Sequence, residues 1–68
     1  MFNNKITIFI IQAYEIRDDL GNLSDVCILE LIDETAESAL ERAKNIIKKS
    51  FYRISQIIEK EKHEQHSQ

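Results

Sequence analysis

Sixty-eight residues with a formal net charge of −3 leave room for one small domain, and the chain has no proline, one glycine and one cysteine. A domain of this size buries only about 60% of its unfolded surface, so a single core is marginal support. One cysteine excludes an internal disulfide, and no Cys/His set has structural-zinc spacing. Hydrophobic content of 43% beside 31% charged residues fits a globular domain and not a disordered tail.

The charge is unevenly spread. Residues 1–41 carry nine acids against Lys5 and Arg17, and residues 42–68 carry seven bases against three acids. A dipolar chain of this kind can offer an acidic surface to a basic partner, whereas a wholesale nucleic-acid binder would be basic overall. The apolar run Ile6 to Ile11, interrupted by Thr7, is too short for a signal-peptide core or a membrane span. With Cys27 alone in an apolar stretch, the expectation is a cytoplasmic protein without membrane association.

Taken in chain order, the first predicted element is a strand over 5–17 (KITIFIIQAYEIR), rich in β-branched and aromatic residues. A second strand is predicted over 23–32. Between them Asp18-Asp19-Leu20-Gly21 suits a type I turn whose Gly21 takes positive φ. The expected register sets Asp18 opposite Asn22 and Glu15 opposite Asp25. One face of the hairpin then carries Phe9, Ile11, Ala13, Cys27, Leu29 and Leu31. The other carries Ile6, Ile8, Ile10, Tyr14, Val26 and Ile28, with Ile16 and Ile32, broken by Gln12 and Glu30. Both faces are apolar, where a half-solvated hairpin would alternate apolar with polar.

From Thr35 the period changes. Thr35 is a good N-cap, Glu37 complements the helix dipole, and apolar or small residues recur at helical spacing from Ala36 to Ile58. This predicts one long C-terminal helix over 35–60, with alanines in its first half letting it approach the sheet closely. Residues 63–68 read as a frayed polar tail. The expected architecture is α+β: a single ββα domain over 1–62, in which a two-stranded antiparallel hairpin packs on one long helix. The Phe9/Ile11/Leu29/Leu31 face is the better candidate for the helix, because it is uninterrupted.

One helix covers one face. The uncovered face, with Ile6, Ile8, Ile10, Tyr14, Val26 and Ile28, would waste roughly 1.5–3 kcal/mol per large side chain left in water. That predicts a partner, most simply a second copy in a closed two-fold dimer formed through the sheet, either by pairing edges into a four-stranded sheet or by stacking faces. A hetero-partner on the same surface is the alternative.

Groups able to carry chemistry are few. His63 and His66 sit three apart, and on a helix Glu59 and His63 would share a side and could bind a metal, but no third firm ligand is visible and a solvated tail accounts for them. Cys27 lies mid-strand between Val26 and Ile28, which suits a small buried hydrophobe better than a nucleophile. Glu15, Asp18, Asp19 and Asp25 gather at an open turn, better placed to meet a basic partner than to do acid/base work. On the predicted long helix, Lys48, Lys49, Tyr52 and Arg53 project away from the apolar stripe as a second contact surface. No glycine-rich phosphate loop is present. No enzyme activity, cofactor or metal is expected.

The segment LIDETAESALERAKNIIKKSFYRISQIIEK, following a hairpin with a D-x-G turn, resembles small accessory proteins carried by phages and other mobile elements. The likeness is one of pattern and covers about residues 5–60. ETAESALERAKNII also resembles HicB-type antitoxins, whose proline- and glycine-containing strand ending is absent here. The phage-type resemblance implies a stoichiometric binder that modifies a host complex, such as an inhibitor of a defence nuclease. The leading expectation is therefore a non-enzymatic, homodimeric protein-interaction module that binds and inhibits or regulates a larger host protein. Small nucleic-acid-binding protein, through the basic outer face of the helix, is the second expectation, and a structural subunit of a larger assembly the third.

Overall fold

A computed structural model describes residues 5–61. Three strands and one helix follow in the order β1 (Lys5–Tyr14), β2 (Cys27–Ile32), α1 (Ala36–Ile46) and β3 (Phe51–Glu61). The sheet is antiparallel with strand order β2-β1-β3, so the connection through α1 crosses over β1. This overturns the predicted ββα architecture: the helix over 35–60 is a short helix followed by a third strand. The expected tail over 63–68 lies outside the described residues, as do Lys62, His63 and His66.

β1 and β2 pair as Ile8 with Ile32 through Ala13 with Cys27, the register expected from the turn. Closer to the tip the register slips by one residue. Ile16 bridges Leu23, and the Ser24 N–H donates to the Glu15 carbonyl at 2.7 Å, so Glu15 faces Ser24 and not Asp25. Arg17 N–H donates to the Asn22 carbonyl at 2.7 Å, enclosing a four-residue loop, Asp18 to Gly21. Gly21 has φ 86°, a left-handed value that a Cβ would penalise. The strand over 23–32 is thus regular only from Cys27, and the one over 5–17 only to Tyr14.

α1 begins where the sequence places it. Thr35 Oγ1 accepts the Ser38 N–H at 3.1 Å, Glu37 lies in the first turn and Lys44 in the last. It ends at Ile46 without a glycine: Ile47 is already extended, its N–H donating to the Ala43 carbonyl at 2.9 Å. Beyond it, FYRISQII is a run of β-branched and aromatic residues facing a vacant edge of β1. Ten pairs join that edge, from Lys5–Glu61 to Tyr14–Phe51, more than β2 supplies. Strand pairing with β1 overrides the helical periodicity.

The core lies between α1 and one face of the sheet. Phe9, Ile11, Ala13, Leu31, Ala39 and Ala43 are buried, with Leu29, Ala36, Leu40, Tyr52 and Ile54 packed around them. Ile11, Ala39 and Ala43 have no exposed surface, so the helix seats closely on the sheet through these two alanines. Arg42 clips α1 to the end of β2. Its Nη1 donates to the Ile32 carbonyl at 2.7 Å and to Asp33 Oδ2 at 3.2 Å.

Candidate functional site

Because Phe9, Ile11 and Ala13 face the helix, strand alternation turns Ile6, Ile8, Ile10, Gln12 and Tyr14 to the opposite side of the sheet. The registers place Ile32 and Ile58 beside Ile8, Glu30 and Gln56 beside Ile10, and Ile28 and Arg53 beside Gln12. Phe51 stacks on Tyr14, with ring centroids 5.7 Å apart and 19° between planes. No element of the described chain covers this face. Ile28 is 57% exposed, Ile32 60% and Phe51 44%. Ile6, Ile8, Ile10 and Tyr14 are half-buried only because neighbouring strands flank them.

The sequence-predicted interface residues Ile6, Ile8, Ile10, Tyr14 and Ile28 thus share one surface, with exposed Val26 entering β2 at its margin. Sequence reasoning missed its other half, Phe51, Arg53, Gln56 and Ile58, because those residues were assigned to a helix. The clustered β-formers of FYRISQII were the available signal.

The polar groups on this face are Gln12, Glu30, Arg53, Gln56 and, beside Ile6, Lys60. Arg53 Nε donates to Gln12 Oε1 at 3.0 Å across the β1–β3 pair. Glu30 stands on the other outer strand, and neither charge belongs to an ion pair among the described residues, where the single such pair is Arg42–Asp33. Ser55 lies at a register shift, unpaired between Gln56 and Ile54, and its hydroxyl donates to the Ile10 carbonyl at 3.2 Å.

The predicted partner-binding residues separate into two groups. Glu15, Asp18, Asp19 and Asp25 are all exposed around the hairpin tip, where Leu20 is 87% exposed. Donation from the Asn22 side-chain amide, and then from the Asn22, Leu20 and Gly21 N–H groups, holds the Asp18 carboxyl below its ordinary range. Its role there is to fix the turn. Lys48, Lys49, Tyr52 and Arg53 form no common surface. Lys48 and Lys49 lie in the α1–β3 connection, Arg53 points to the open sheet face, and Tyr52 to the helix side. The Tyr52 hydroxyl accepts the Lys49 N–H and donates to the Ile47 carbonyl, both at 2.6 Å. The basic helical face drawn from the sequence does not form.

No family model, curated protein or solved structure matches this chain. Among the described residues no group of three or more His, Cys, Asp or Glu side chains could hold a metal ion, and no helix is long and apolar enough to cross a membrane. A concavity of about 450 Å³ lines the solvent side of α1 near Thr35, Ser38, Glu41 and Lys44. One of its hydroxyls serves the fold: Thr35 caps the helix by accepting the Ser38 N–H. Cys27 is a half-buried free thiol on the helix side of β2.

Proposed function

We propose that this protein is a non-enzymatic interaction module. It works as a homodimer joined through the open sheet face, leaving the acidic hairpin tips free to engage and regulate a larger, basic protein. The reading rests on one observation: the face carrying Ile8, Ile10, Tyr14, Ile28, Ile32, Phe51 and Ile58 is apolar and uncovered. Each large aliphatic side chain left in water there forgoes roughly 1.5–3 kcal/mol, a heavy loss for a domain with total stability of about 5 kcal/mol. A central apolar surface with occasional polar groups is also the composition of protein interfaces. The free thiol of Cys27 suits a reducing cytoplasm.

Ile8 tests the reading. It sits mid-face between Ile32 and Ile58, on the side of β1 away from the core. At low micromolar concentration the protein should sediment at twice the chain mass, and Ile8→Glu should sediment as a folded single chain. A wild-type monomer whose mass and solubility are unchanged by Ile8→Glu contradicts the proposal. The nucleic-acid alternative loses its basis, since the basic helical face it required is absent and Arg53 bonds to Gln12 on the sheet.

A further inference from the structure

Granting that the open face is where two copies meet, three two-fold arrangements are available, and the charges on the face distinguish them. An axis perpendicular to the sheet joins edges and leaves the face bare. An axis in the interface plane but across the strands sets β2 over the partner's β2. On this face β2 presents Ile28, Glu30 and Ile32, so Glu30 then meets no cation. An axis parallel to β1 sets β2 of each copy over β3 of the other.

We infer that the dimer uses this third arrangement, in which Glu30 of each copy pairs with Arg53 of the other. Residues at two of the matching heights are then alike in character, while at the Gln12 height Arg53 stands over the partner copy's Ile28 position. Ile32 and Ile58 both neighbour Ile8, so each Ile32 lies over a partner Ile58 position. Glu30 and Gln56 both neighbour Ile10, polar over polar. Within one copy, Glu30 and Arg53 stand on opposite outer strands with β1 between them, about 9.6 Å apart laterally, their side chains pointing the same way. Across stacked sheets about 10 Å apart they point at each other, offset along the strand by about 6.8 Å, within the reach of an arginine. Two charges that belong to no ion pair among the described residues acquire one partner each, twice per dimer.

The same axis keeps β1 and its partner strand parallel, so both hairpin tips leave the dimer at one end. Asp18, Asp19, Glu15 and Asp25 of the two copies then form a two-pronged acidic end.

Charge reversal tests the geometry. Glu30→Arg alone and Arg53→Glu alone should each weaken self-association by about tenfold or more, because each places like charges opposite one another at two sites. Mixing the two single variants should restore a dimer containing one of each, and the double variant E30R/R53E should self-associate like the wild type. Restoration on mixing also shows that both single variants fold. If the wild type is dimeric and Ile8→Glu disrupts it, but the single reversals associate normally or mixing restores nothing, this geometry is wrong and the interaction module stands. If the wild type is monomeric, both fall.

Discussion

Tyr52 closes the link between helix and third strand with one oxygen. That hydroxyl is both acceptor for Lys49 and donor to Ile47, in a half-buried position where water replaces it poorly. Tyr52→Phe should lower unfolding free energy by roughly 1–3 kcal/mol in a denaturant titration, since it strands two backbone groups. Asp33 acts at the other end of the helix. The Glu34 N–H, donating to its Oδ1 at 2.7 Å, holds the carboxyl below its ordinary range, and the Ser38 hydroxyl and Arg42 guanidinium add to this against partial desolvation. A carboxyl depressed in the folded state binds its proton less readily there than in the unfolded chain. Its stabilisation is therefore complete above the unfolded value of about 3.9 and is lost as pH falls through that value towards the folded one. Stability measured between pH 6 and pH 3 should decline, and Asp33→Asn should flatten the decline without abolishing it, because Asp18 is depressed in the same direction.

Among the elements, α1 owes its position to small side chains. Ala39 and Ala43 are fully buried against the sheet, so helix backbone and sheet lie as close as methyl groups permit. Ala39→Leu should destabilise by about 1–3 kcal/mol, read by thermal or denaturant unfolding, by forcing helix and sheet apart. Much of this was legible. β-branched and aromatic residues announced β1, Gly21 announced the turn, and Thr35 the helix start, because each depends on local chemistry. The helix end was not legible, and Ser55 shows why. A register shift at Ser55 inserts an extra residue into β3, so its helix-side positions run Tyr52, Ile54, then Ile57. That spacing blurs the alternation of a strand and imitates the three-and-four rhythm of a helix. With no proline or glycine after Gly21, nothing local punctuates the change.

At the scale of the whole molecule, the surplus of apolar sheet was readable from β1 and β2, since Ile6, Ile8, Ile10 and Ile28 alternate with core residues. Its width was not, because half of it comes from a strand whose partner lies far away in sequence. The third strand also did not cover the surplus: it extended the core by Tyr52 and Ile54 while adding Phe51 and Ile58 to the uncovered side. The candidate surface is thus larger than a hairpin alone provides, and it carries both signs of charge.

β1 lies in the middle of the sheet although it is the earliest strand of the described chain, and one of its two neighbours is the latest. On the ribosome the central ribbon emerges first and waits, one flank unmated, until Phe51–Glu61 has been synthesised. During that interval its backbone donors and acceptors are open to strands from other nascent chains. Any delay in docking Phe51–Glu61 therefore lengthens the time in which that flank of β1 can pair wrongly.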